Sequence, residues 1–407
     1  MRISRTPLSL TIAATVLAPA LVAPAFAERI ELGPRPAWLI SQMDDSPLKD
    51  RLAACGDVEP VRTDFSIAHR GAPLMFPEHT EEAYRAGLQM GAGIMECDVA
   101  FTKDLELVCR HAQNDLHTTT NILATDLAEQ CTTPFAPASG DMSAQAECRT
   151  SDVTLAEFKS LKGKMDAADA SGTTVAEYMD GTASWRTDLY TASGTVMSHK
   201  ESIALFKEHG VKFTPELKNP AVEMPFNGFT MNDYAQKMLD EYKEAGVDAA
   251  DLFPQSFNLD VVAYWLENEP DYAVNSVFLT EPADGFDPQN AETWAEDFDA
   301  LAAMNLKYLA PSINMLVVAE DGKYVASEYA KAAKAAGLEL ITWTLERSGP
   351  LATGGGWYFQ SATAATDNDG DYFEVLDALA QDAGVVGVFS DWPATVTYYA
   401  SCMNMGG

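Results

Sequence analysis

Residues 94–111 read Ile94-Met95-Glu96-Cys97-Asp98-Val99-Ala100-Phe101-Thr102-Lys103-Asp104-Leu105-Glu106-Leu107-Val108-Cys109-Arg110-His111. An apolar, β-forming run, Ile94–Val99, gives way to a short polar turn, Thr102-Lys103-Asp104. A second run, Leu105–Cys109, follows and ends in Arg110-His111. Side chains alternate along a strand, so Glu96 and Asp98 project to the same side. Two carboxylates on one face of an apolar strand are costly unless something compensates them. The stretch therefore reads as a strand that carries a site, with an add-on strand paired beside it.

Similar runs recur outward in both directions: Ser66–Ala68, Lys212–Leu217, Leu252–Phe257, Ala273–Leu279, Tyr308–Ser312, Leu338–Leu345 and Val385–Ser390. Between most of them the apolar spacing becomes helical, as in Thr80–Met90, Ser202–His209, Met231–Ala245, Leu259–Glu267, Ala291–Met304 and Tyr324–Ala336. Thr80-Glu81-Glu82 supplies a cap and first-turn acids, and Gly210 and Gly337 stop two helices. Alternation on this scale predicts a parallel sheet with helices outside. With Leu105–Cys109 set aside as the add-on, eight runs remain, which predicts an α/β fold of the TIM (β/α)8 barrel type. From Asn114 to about Lys200 the chain is rich in Thr, Ala, Ser, Asp and Gly and offers one helix, Thr154–Lys162. This reads as a subdomain inserted after the strand that ends in His111, within a barrel domain spanning 28–407.

Of 407 residues, 60 are acidic and 27 basic, a formal charge of −33. So acidic a surface repels polyanions and argues against nucleic acid or an anionic membrane as partner. Arg2 and Arg5, the apolar run Leu8–Val22 and Ala25-Phe26-Ala27 together read as a secretory signal peptide, residues 1–27. Its removal takes away two arginines and no acid, moving the charge from −33 to −35. Export, to a periplasm or the exterior, makes disulfides the expected use of the six cysteines, all beyond residue 27. Cys131 and Cys148 bracket a Pro/Ser/Gly-rich loop, Cys55 and Cys402 lie near the two ends, and Cys97 and Cys109 lie on neighbouring strands. No CxxC pair supports a zinc site.

In a parallel barrel the active site lies at the C-terminal ends of the strands. His69-Arg70-Gly71 ends the first, Glu96 and Asp98 lie on the second, Arg110-His111 ends the add-on, and Glu216 and Lys218 end the next. Three carboxylates meeting at one mouth repel unless a cation sits between them. Glu96, Asp98 and Glu216 thus read as an all-oxygen site for Ca²⁺, with Mg²⁺ as the alternative hard cation. His69 and His111 suit an acid/base pair, and Arg70 a fork for phosphate oxygens. The set suits phosphoryl transfer. Asp367-Asn368-Asp369-Gly370-Asp371 lacks the closing Glu of an EF-hand, and Gly354-Gly355-Gly356 lacks the Lys-Ser/Thr of a P-loop.

The ordered set His69-Arg70-Gly71, Pro77-Glu78-His79-Thr80, Glu96-Cys97-Asp98-Val99, Thr102-Lys103-Asp104 and His111 resembles the glycerophosphodiester phosphodiesterase family. Pro215-Glu216-Leu217-Lys218, Gln255-Ser256-Phe257, Thr342-Trp343-Thr344 and Ser390-Asp391-Trp392-Pro393 extend the resemblance over about residues 64–400. It implies a TIM barrel with an insertion after the second His and a metal-dependent hydrolysis of glycerophosphodiesters to glycerol 3-phosphate and an alcohol. It also implies metal ligands at Glu96, Asp98 and Glu216, acid/base roles for His69 and His111, and a phosphate-binding Arg70. By the same resemblance Glu78 orients the site, Lys218 lies close to the phosphate, and Trp343 lines the pocket. The chain departs from the family pattern at His79, where Asn is usual, at Ala112, where Asp is usual, and at His117, where Arg is expected. The inserted segment, with Asn114 and His117, is expected to shape a different pocket. Two alternatives share these residues: a sphingomyelinase-type phospholipase D on the same barrel, and a non-catalytic Ca²⁺-binding exported protein.

Overall fold

Nine strands form one sheet, and the register explains how it closes. The first strand, Thr63–Ala68, pairs in parallel with Ala92–Phe101 on one side and with Val385–Ser390 on the other. The remaining neighbours run Lys212–Leu217, Gln255–Ser256, Val277–Thr280, Tyr308–Pro311 and Glu339–Leu345, each parallel to the next. Eight parallel strands thus close on themselves as a TIM barrel. Leu107–Cys109 is added antiparallel to Ala92–Phe101 after the Thr102-Lys103-Asp104 turn. The structure, a computed structural model, describes residues 29–187, 190 and 194–405. The expected signal peptide lies outside the described residues. Among them no helix is long and apolar enough to cross a membrane.

Alternation along the strands separates two cores. Ile67, Ile94, Phe253, Val277, Leu279, Ile341 and Phe389 fill the barrel interior. Met95, Phe213, Leu217, Leu309 and Leu340 face the helices with Tyr84, Leu239, Trp265 and Tyr329. The interior parity carries Ile67 on to His69, Ile94 on to Glu96 and Asp98, and sets Glu216 on the inner face opposite the outward Phe213 and Leu217. The helices begin where local chemistry dictates. Thr80 caps Glu81–Gln89, and a reciprocal Ser198–Glu201 capping box starts His199–Glu208, three residues earlier than its apolar spacing suggests. Gly71 takes φ 96°, and a Cβ there would lie 2.6 Å from the carbonyl carbon of Ala83, so glycine lets this helix approach the first strand.

Three expected helices differ. Ala291–Met304 splits into a short turn, Ala291–Thr293, and a helix, Phe298–Ala303, because Trp294 turns its indole N–H to the Asp287 carbonyl and Asp297 caps the second piece. Tyr324 lies not in a helix but in a hairpin, Val317–Glu320 with Lys323–Ala326, turning at Asp321-Gly322 with φ of 49° and 72°. That Asp-Gly pair is a two-residue hairpin signal. The helix proper, Glu328–Ala335, starts after the Ser327 cap. Thr154–Lys162 is helical only over Leu155–Phe158, and Lys162–Gly163 pairs as a strand with Gly194–Thr195. Residues between His111 and Ser198 enclose a small core of their own around Leu116, Ile122, Cys148, Val153 and Phe158.

All six cysteines pair: Cys55–Cys402, Cys97–Cys109 and Cys131–Cys148. The first joins the helix Pro47–Ala54 to the last helix, Pro393–Cys402, the second staples the add-on strand to its neighbour, and the third closes a loop of the 114–198 segment.

Candidate active site

Parallel register brings the acidic residues together. Asp98 stands opposite Glu216, Glu216 stands opposite Gln255, and Glu96 lies two residues before Asp98 on the same face. Ligand oxygens of Glu96, Asp98 and Glu216 all lie within 4.8 Å of one another. Burial, then Asp98 and Glu216, pushes the Glu96 carboxyl well above its ordinary range, and burial lifts Glu216 to about 7. Burial would raise Asp98 too, but His79, Lys218 and Arg70 outweigh it and hold this carboxyl well down. Lys218 Nζ sits 2.5 Å from Glu216 Oε1, and Gln255 Nε2 donates to Glu96 Oε1 at 2.9 Å. Asp98 Oδ1 is buried without a hydrogen-bond partner. An orphaned carboxylate oxygen within a trio of crowded acids fits a hard divalent cation.

The same logic of register places the histidines. Ala68 pairs with Ser390, so the next residues, His69 and Asp391, leave the barrel side by side. His69 Nδ1 lies 2.6 Å from Asp391 Oδ1, and its Nε2 turns inward, 4.0 Å from Glu96 Oε2. Burial and the adjacent Arg70 pull His69 down to about 4 against the upward pull of Asp391. His111 is also pushed well down, by burial and then by Arg70 and Lys218. Its ring offers a nitrogen within 4.8 Å of carboxylate oxygens of Glu78 and Asp115.

Arg70 takes φ 52°, which aims its backbone N–H at Glu96 Oε2, 2.8 Å away. Its Nη1 donates to Glu78 Oε2 at 2.8 Å, so Glu78 stands behind the guanidinium and holds it. Arg110, fully buried, donates from Nη2 to the carbonyls of Glu78 and His79 at 2.8 and 2.9 Å. That pins the turn carrying Glu78. His79 binds Asp98 Oδ2 through Nε2 and the Tyr84 hydroxyl through Nδ1, both at 2.8 Å.

These groups open on a cavity of about 550 Å³. His69, Arg70, Glu96, His111, Glu216 and Lys218 line its polar side, and Phe257, Trp343 and Tyr358 its aromatic side. Trp343 is fixed by an indole bond to the Ala310 carbonyl at 2.9 Å and by Phe257 edge-on at 5.5 Å. A larger cavity, about 720 Å³, lies between the N-terminal segment and Trp185, Tyr190 and Trp392, and contains none of the acid/base residues.

The structure corrects one site expectation. His117 does not line the 550 Å³ cavity: its Nδ1 accepts from the Cys148 backbone at 3.3 Å, and its ring stacks on Tyr178 inside the 114–198 segment. No carboxylate stands at Ala112, but that of Asp115 lies close by. Asp115 Oδ2 accepts from the Ala112 N–H at 3.0 Å and stands near His111. Burial, with Glu78 adding, pushes Asp115 up to about 7 despite Arg110. Sequence reasoning also passed over Asp391, Arg347 and Gln255 as site residues. Asp391 and Gln255 sit at strand ends within motifs already quoted, whereas Arg347 follows its strand by two residues and carried no signal of its own.

A family model described as "Glycerophosphoryl diester phosphodiesterase family" matches residues 69–395, from the first site histidine into the last helix. The chain belongs to the glycerophosphoryl diester phosphodiesterase family. It is a phosphoric diester hydrolase, and enzymes of this family depend on divalent cations. It is 44% identical over 247 residues to a protein named "Extracellular protein" from Arthroderma benhamiae, covering 59% of this chain and 100% of that one. A glycerophosphodiester phosphodiesterase of Arabidopsis thaliana is 29% identical over 170 residues, 40% of this chain and 39% of that one. Among solved structures, a phosphodiesterase of Oleispira antarctica in complex with the product sn-glycerol-3-phosphate superposes with a TM-score of 0.50 at 17% identity, over 85% of this chain and 97% of that one. A family structure from Silicibacter pomeroyi gives 0.54 at 19% identity, over 86% and 95%. At these identities the superpositions show the shared barrel.

Proposed function

We propose that this phosphodiesterase is exported, requires a divalent cation, and hydrolyses glycerophosphodiesters to glycerol 3-phosphate and an alcohol. The observation that carries the reading is the convergence of Glu96, Asp98 and Glu216 with His69, His111, Arg70 and Lys218 at one cavity. Export is supported by the signal-like N-terminal sequence, the three disulfides and the similarity to a protein named extracellular.

Glu96, Asp98 and Glu216 would hold the cation, which when bound neutralises phosphate charge and polarises the phosphorus–oxygen bonds. Arg70 and Lys218, which line the same cavity and are positioned by Glu78 and Glu216 respectively, bind the non-bridging oxygens. Burial and the cations beside them favour the neutral form of both rings in the absence of substrate. One takes a proton from the attacking oxygen, either water or the substrate's own neighbouring hydroxyl, and the other protonates the leaving alkoxide. The anionic phosphate raises the pKa of an adjacent ring and so favours its acid form. Asp391 holds His69 by Nδ1 and leaves Nε2 facing the cavity. Phe257, Trp343 and Tyr358 give the organic part of the diester an apolar wall.

Turnover of a glycerophosphodiester panel, with and without chelator, tests the reading. Metal-dependent release of glycerol 3-phosphate supports it. Cleavage of sphingomyelin with none of glycerophosphocholine would replace it with the phospholipase D alternative, and no cleavage of either would leave a binding protein.

A further inference from the structure

The 114–198 segment reaches back to the barrel mouth through one carboxylate. Asp166 Oδ1 lies 2.7 Å from Arg186 Nη2, and Asp166 Oδ2 lies 3.5 Å from Arg347 Nη2. Arg186 also donates to the Pro73 carbonyl, in the turn that follows His69-Arg70-Gly71. Arg347 follows the strand Glu339–Leu345 by two residues, and its Nη1 donates to Asp391 Oδ2 at 2.9 Å. The other oxygen of Asp391 takes His69 Nδ1 at 2.6 Å. An unbroken series of charged contacts therefore runs from Asp166 through Arg347 and Asp391 to His69.

The geometry makes this series directional. Asp391 uses one oxygen for each partner, so Arg347 fixes the plane of its carboxylate and with it the direction of the His69 ring. Arg347 is itself held between carboxylates: Asp391, Asp166, and Glu78 at 3.7 Å. Asp391 and Glu78 belong to the barrel; Asp166 alone of the three comes from the 114–198 segment. Asp391 is nearly fully buried and Arg347 side-chain exposure is 20%, so solvent screens these contacts weakly.

We propose that Asp166 is a positioning residue for the active site, acting through Arg347 and Asp391 on the orientation of His69. The 114–198 segment is then a working part of the active site and not only a cover on the barrel. The inference rests on the acid/base role proposed above for His69.

The test uses the full exported chain. Asp166→Asn and Asp166→Ala lower kcat on glycerophosphocholine by about 10- to 100-fold, the usual cost of losing an outer-shell partner, while KM changes by less than about threefold. Asp166→Glu restores most of the loss. In a His69→Ala background the same substitutions change the residual kcat by less than about twofold, because the group they act on is gone. A second readout needs no activity. Histidine ¹⁵N spectra, with the His69 signals identified by their loss in His69→Ala, show an Nδ1–H ring in the native protein and shifted or broadened signals in Asp166→Asn. Arg347→Lys, which keeps the charge but not the fork, reproduces the effect if Asp166→Ala fails to fold. Equal losses in both backgrounds, native kcat in Asp166→Asn, or unchanged His69 signals would each overturn the proposal. A native protein without phosphodiesterase activity would instead overturn the functional reading, with the spectra still deciding whether Asp166 positions His69.

Discussion

Replacing His69 by Ala separates catalysis from folding in this site. The residue is 7% exposed, and its ring lies against Asp391 on one side and the cavity on the other. Its removal deprives Asp391 Oδ1 of a donor, a hydrogen bond to a charged group worth about 1.5–3 kcal/mol. Asp391 Oδ2 keeps Arg347 Nη1 at 2.9 Å, so the carboxylate stays ionised and paired. The space left by the ring joins the open cavity and fills with water, which avoids the cost of a dry hole. The expected stability loss is therefore about 1.5–3 kcal/mol. The rate should fall much further, by about 10²–10⁴ in kcat, equivalent to about 2.7–5.5 kcal/mol of barrier. Choline release from glycerophosphocholine gives kcat, and urea denaturation followed by circular dichroism gives the stability change. His111→Ala should behave alike, and the double variant should lose far less than the product of the singles because the two rings serve one proton-transfer cycle. A folded His69→Ala protein with near-native kcat removes His69 from the mechanism.

Glu96→Gln and Glu216→Gln each take one charged ligand from the acidic trio. The cation concentration for half-maximal activity should rise at least about 10-fold, read from metal titrations of turnover; unchanged titration curves count against the site. Arg110→Met strips donors from the carbonyls of Cys109, Glu78 and His79. Leaving buried acceptors unpaired costs about 1–3 kcal/mol each, so urea midpoints should drop clearly, and a native midpoint would show that the Glu78 turn holds itself. Cys55→Ser with Cys402→Ser opens a loop with a sequence separation of 347. Thermal melts should record a loss of about 2–5 kcal/mol with kcat little changed, since this bridge lies away from the cavity residues.

All nine strand runs were legible because each is a short apolar stretch ended by polar residues, and the parity of Glu96, Asp98 and Glu216 followed from strand geometry alone. The ladder at Leu252–Phe257 is shorter than expected, Gln255–Ser256, although Leu252 still bridges Phe213. Helix limits failed where a side chain preferred another job: Asp297 as a cap, Trp294 as a donor to Asp287, Asp321-Gly322 as a turn. The cysteine pairs that flank one loop, one strand pair and the two ends could be picked out by position, but choosing among fifteen pairings needed the folded chain. What stayed hidden depends on register between distant segments. Nothing local tells that His69 and Asp391 are neighbours; the Ala68–Ser390 pairing does. Asp115 carries no sequence signal because the family's carboxylate is at position 112; a turn at Gln113-Asn114 brings the Asp115 carboxylate back to the Ala112 N–H. His117 is expected at a pocket because it stands where the family has Arg, yet the helix Leu116–Thr119 places it against Tyr178.

We propose above that a divalent cation held by Glu96, Asp98 and Glu216 serves phosphodiester cleavage at this cavity. Its most direct test is one titration: exhaustively chelated protein, glycerophosphocholine in excess, and Ca²⁺ or Mg²⁺ added back while glycerol 3-phosphate is measured. The rate should be negligible after chelation and recover saturably as the ion is added, with recovery weakened in Glu216→Gln. A chelated enzyme that turns over at its original rate would contradict it.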